Sequence, residues 1–153
     1  MYRNSLIAAI AAAVALLSSG TARRADAAVP VDPCSLLTMA QVSSAVGGTV
    51  KPGSPISTTG CSWSSESPRA VVTISFALVA SFARLKAASS PAVQKSAMSG
   101  VGDDAFYSTL GPMTTLTVQK GNTAFVMHVY GIADPARQKE IEKTLATTAA
   151  SKL

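Results

Sequence analysis

The chain has 153 residues, a formal net charge of +5, 48% hydrophobic residues and 14% charged ones. That length suits one domain of ordinary size. Its basic residues are scattered without a cluster, which argues against nucleic acid as a partner, and two cysteines with one histidine are too few soft ligands for a zinc site.

The first segment reads as an address. Arg3 supplies a positive start, residues 6–17 (LIAAIAAAVALL) are uninterruptedly apolar, and Ala25-Asp26-Ala27 is a small-residue cleavage pattern. That order predicts a signal peptide over residues 1–27. Its apolar run of 12 residues falls short of the roughly 20 needed to span a bilayer, so the mature protein is expected to lack a transmembrane segment. Arg3, Arg23, Arg24 and Asp26 leave with the leader, so thirteen basic and eight acidic side chains become ten and seven, a net +3. Residues 28–153 are expected to form a single extracytoplasmic domain, periplasmic or extracellular. Both cysteines survive cleavage, and an even pair in an exported chain predicts a Cys34–Cys61 disulfide.

Asp32-Pro33 suits a helix start. Thr38 and Gln41 then have capping-box spacing, Leu36, Leu37, Val42 and Val46 supply the apolar positions, and Gly47-Gly48 ends the helix. Residues 49–60, rich in Pro, Gly, Ser and Thr, predict a short strand and a turn. In the next strand Cys61 and Trp63 share a face. Val72, Ile74, Phe76 and Leu78 then alternate with Val71, Thr73, Ser75 and Ala77, the pattern of a half-buried antiparallel strand. Residues 81–89 predict a short helix with Phe82, Leu85 and Ala88 inward. Residues 90–100 read as a loop or weak helix, and 105–110 as a strand after the Gly100–Asp104 turn.

Gly121-Asn122 is a two-residue hairpin turn pairing Lys120 with Thr123. The register then sets Val118 against Phe125, Leu116 against Met127 and Thr114 against Val129 on one face. Thr115 meets His128 and Met113 meets Tyr130 on the other. A last helix starts at Asp134-Pro135, with Ile141, Leu145 and Ala149 docking on the sheet and Glu142 among its solvated charges. The sum is an α+β domain: an antiparallel sheet of five to six strands with about three helices packed on it.

Three strings in order carry a resemblance: Asp32-Pro33-Cys34-Ser35-Leu36-Leu37-Thr38, Cys61-Ser62-Trp63, and Gly100-Val101-Gly102-Asp103-Asp104-Ala105. With the exported N-terminus, the chain resembles a family of uncharacterised bacterial envelope domains, many of them actinobacterial lipoproteins. The resemblance implies an extracytoplasmic α+β domain and the same disulfide. It brings no catalytic residues. A lipid-attachment cysteine is missing here, which favours a soluble form.

No catalytic, cofactor or metal constellation stands out. The G-x-S-x-G elbow, phosphate loop and dinucleotide fingerprint are absent from the sequence. Adjacent Asp103 and Asp104 point apart in extended chain and read as turn chemistry rather than metal ligands. Trp63, beside a disulfide, reads as core. Phe106 and Tyr107 project oppositely, one inward and one exposed. His128, Tyr130, Thr115 and Tyr107 are the candidate ligand-face residues, on a polar sheet face. The leading expectation is a non-enzymatic envelope module that binds a small ligand or a partner, or assists another envelope protein. The alternatives are a small hydrolase using His128, and an inhibitor of a secreted enzyme presenting the 51–60 loop.

Overall fold

The computed structural model describes residues 31–153; the expected leader lies outside them. The described chain is an α+β domain with one seven-stranded, wholly antiparallel sheet and three α-helices. The strands are β1 (Ser54–Ser57), β2 (Gly60–Glu66), β3 (Arg69–Ala77), β4 (Gln94–Met98), β5 (Asp104–Leu110), β6 (Met113–Lys120) and β7 (Thr123–Tyr130). The helices are α1 (Met39–Val46), α2 (Val79–Ala87) and α3 (Pro135–Ala150). The spatial order β1-β2-β3-β7-β6-β5-β4 joins two meanders through the β3–β7 pair.

Local chemistry sets the boundaries. Asp32 accepts from the Cys34 amide and starts a 3-10 turn at Pro33–Ser35. Thr38 and Gln41 form the reciprocal capping box of α1, and Gly47, at φ 83°, ends it in a left-handed conformation that a side chain disfavours. Asp134 caps α3 through the Ala136 amide, with Pro135 in the first turn. The β6–β7 hairpin has the expected register, Lys120 opposite Thr123 and Leu116 opposite Met127.

The register divides the sheet into two faces. One carries Cys61, Trp63, Val72, Ile74, Phe125, Met127, Leu116 and Val118, all at most 1% exposed, beneath α1 and α3. Burying each large side chain is worth about 1.5–3 kcal/mol. Cys34 and Cys61 are bonded, tying the first turn to β2 on this face. On the opposite face α2 covers one corner, where Phe82 packs edge-on against Phe106 above Ala124.

Four local expectations need correction. Residues 94–98 form edge strand β4, so the strand count is seven rather than five or six. Leu78 has left the sheet to become the cap residue of α2 and is 74% exposed. Leu85 and Ala88 face solvent, because α2 covers only a corner and one aromatic anchor, Phe82, suffices. Glu142 is fully buried rather than solvated.

Candidate functional site

Thr73, His128, Thr115 and Ser108 lie in one cross-strand row on the face that α2 leaves largely open. His128 and Tyr130, two residues apart on β7, share that face. Their rings stack at 3.8 Å between centroids and 21° between planes. Thr115 Oγ1 lies 3.5 Å from His128 Nδ1, a long contact. Nε2 is shielded from solvent and has no hydrogen-bond partner among the described residues. Burial pulls the imidazole below its usual pKa, favouring the neutral ring.

The next row is apolar. Val71 pairs with Tyr130, and Leu110 with Met113. Continuing the β6–β7 register sets Met113 beside Tyr130. Leu110, Met113 and Tyr130 are each 45% exposed. The end of this row opens into a hollow of about 310 Å³ between the β5–β6 turn and the loop after β7, walled by Pro112, Met113, His128, Tyr130, Ile132 and Gln138. Exposed apolar side chains gathered at a hollow with a few polar groups are the ordinary make-up of a recognition surface.

Tyr107 does not join this group. It lies on the α3 face, 6% exposed, and donates from its hydroxyl to the Lys139 carbonyl at 2.7 Å. Burial first, and the Glu142 carboxyl second, push its phenol up to about 12. Phe106 is also buried, under α2, so neither member of that pair is exposed. Strand alternation correctly sends the two to opposite faces; the helix over each face is what it leaves out.

The remaining candidates resolve into structural parts. Asp103 accepts from the Gly121 amide at 2.7 Å and pairs with Lys120 at 2.9 Å, and these contacts hold its carboxyl below the usual range. Asp104 turns away to Lys86 at 2.5 Å. Val101 plugs the core at 1% exposure, and Gly102, at φ 62°, passes so close to the Gln119 carbonyl that a Cβ would sit 2.4 Å from it. The G-V-G-D string thus seats a loop against the β6–β7 hairpin. Trp63 is core, with the Gly53 backbone lying across its indole. The 51–60 segment is edge strand β1 and its turn rather than a loop standing off the surface. Among the described residues no three His, Cys, Asp or Glu side chains converge on a metal position. Nor does a serine hydroxyl or carboxylate hydrogen-bond to His128 among them.

A larger hollow of about 520 Å³ lies between α1 and α3. Its charged groups already satisfy one another: Arg137 donates to the Ala45 carbonyl at 2.9 Å and to Glu140 at 2.7 Å.

A site absent from the sequence reading lies behind the first hollow. Glu142 Oε1 accepts from the Val129 amide at 3.3 Å. Thr114 Oγ1 is 3.0 Å from Glu142 Oε2 and 3.1 Å from Gln138 Oε1, which also accepts from the Thr114 amide at 3.2 Å. Gln138 Nε2 donates to the Ile132 carbonyl. Burial drives the Glu142 carboxyl up to about 7, against the weaker downward pull of Thr114, the Val129 amide and Lys139. The signal was present in the sequence: Gln138, Glu142 and Ala149 share the spacing of Leu145 and Ala146 on the docking stripe.

No family model, curated protein or solved structure matches the chain.

Proposed function

We propose that the protein is an exported, disulfide-stapled module that works by binding, through the strip formed by His128, Tyr130, Met113 and Leu110 and the hollow at its end. The observation that carries this reading is the uneven cover of the sheet. The helices enclose one face, and the other keeps three large apolar side chains exposed in neighbouring positions. A solvated face would need no such row, and the His128 ring stacks on Tyr130 directly beside it.

Export is supported by the disulfide and by the leader pattern. Membership of the envelope-domain family that the chain resembles belongs to this proposal. Its three strings each have a structural task here: a helix start, a disulfide and core tryptophan, and a loop anchor.

The test is a fragment library screened by two-dimensional amide NMR. Binders are expected to shift the signals of His128, Tyr130, Thr115 and Met113. Binders that shift only the α1–α3 groove, or no binders at all, would refute the assignment.

A further inference from the structure

We infer that Glu142 is held protonated in the folded protein and passes a hydrogen bond through Thr114 to Gln138, so that the seat of α3 on the sheet is a pH-sensitive joint. The geometry points there by proton counting. Thr114 Oγ1 carries one hydrogen but lies within hydrogen-bond distance of two acceptors, Glu142 Oε2 at 3.0 Å and Gln138 Oε1 at 3.1 Å. With a proton on Oε2, the chain closes. Glu142 donates to Thr114 Oγ1, Thr114 donates to Gln138 Oε1, and Oε1 of Glu142 accepts from the Val129 amide. Every buried polar atom in the row then has a partner.

Without that proton the carboxylate must take the Thr114 hydrogen. Gln138 Oε1 is left with the Thr114 amide alone, at 3.2 Å, and a charge sits at a position with no exposure. The surroundings do little to neutralise it. The titratable groups facing Glu142 are Tyr107 from β5 and Lys139 on α3 itself. Lys139 lies over the Tyr107 ring, 5.4 Å from its centroid. β6 presents the neutral Thr114 and β7 a backbone amide. His128 and Tyr130 of β7 point to the other face, and α1 has no titratable side chain. Arg137 and Glu140 pair with each other.

Gln138 also walls the hollow beside His128. Turning one hydroxyl hydrogen from Gln138 to Glu142 therefore alters a surface wall from inside the core. That link concerns the free protein and does not depend on the binding reading.

The test is a pH titration of the folded domain with carboxyl-13C glutamate, which gives three signals, from Glu66, Glu140 and Glu142. The Glu142 carbon is expected to titrate with its midpoint at about pH 7. The Gln138 side-chain amide signals should step at the same midpoint. In Thr114→Val the Gln138 step should vanish while Glu142 still titrates late, and in Glu142→Gln no late step should remain. A wild-type Glu142 carbon ionising near 4.5 would overturn the inference. So would Gln138 signals that stay fixed while Glu142 titrates. Both outcomes are read on the unaltered protein, whatever the variants do to folding.

Discussion

Glu142→Gln replaces the buried acid with a neutral isostere of its protonated form. The glutamine oxygen can accept from the Val129 amide, and its NH2 can donate to Thr114 Oγ1, in place of the contacts now made by Oε1 and Oε2. The carboxyl titrates near 4.5 in an unfolded chain and near 7 in the fold. Between those values the native state binds more protons than the unfolded state, so stability falls as pH rises. The loss is absent below about 4.5 and complete above about 7. At about 1.4 kcal/mol per pH unit, it amounts to ~3 kcal/mol. For a domain of this size that is a fall in Tm of about 10 °C. His128 slopes the other way. Its lowered pKa costs stability as pH falls below the ordinary histidine value, so the difference between variant and wild type isolates Glu142. Calorimetry or urea unfolding from pH 4 to pH 9 should show Glu142→Gln nearly level with wild type at pH 4 and more stable by ~3 kcal/mol at pH 8. Parallel curves, or a wild type that gains on the variant as pH rises, would refute the reasoning.

Three other perturbations separate structural roles. Reducing the Cys34–Cys61 bond, which closes a separation of 27 residues, should cost about 3.5 kcal/mol; an unchanged melting temperature under reductant in calorimetry would contradict it. Gly102→Ala should cost about 2 kcal/mol or more, since a Cβ there meets the Gln119 carbonyl. Gly100→Ala, with open space around it at φ 80°, should cost about 1 kcal/mol, and equal losses in denaturant unfolding would remove the close-approach argument. Phe82→Ala should cost about 3–5 kcal/mol, whereas Leu85→Ser should change stability by less than about 0.5 kcal/mol, because only Phe82 of the pair is buried; the same unfolding assay decides.

Much of the fold was legible because several local signals agreed. The β6–β7 register followed from Gly121-Asn122 together with the apolar row of Leu116, Val118, Phe125 and Met127, which a slip by one residue would turn to solvent. The capping box at Thr38 and Gln41 fixed the start of α1 in the same way. β4 escaped because Gln94–Met98 is a polar edge strand, paired on one side to β5, with exposed side chains and no alternation to read. Leu78 and Leu85 were misplaced because periodicity identifies an apolar position without telling whether anything covers it.

The candidate site was legible in part for related reasons. Strand alternation put His128, Tyr130 and Thr115 on one face, but Tyr107 required knowing how β5 pairs with β6. Glu142 was hidden by its type. A glutamate on a helix rich in charge reads as solvated, although its spacing sets it on the docking stripe with Leu145 and Ala149, over Thr114 and Val129.

A photo-crosslinking residue at Tyr130, on the exposed apolar row, tests the binding strip most directly when set against the same residue at Thr147, on the exposed side of α3. In intact native cells, irradiation is expected to give a discrete adduct from position 130 and none from position 147. No adduct from position 130, or the same adducts from both positions, would contradict recognition through the His128–Tyr130 strip.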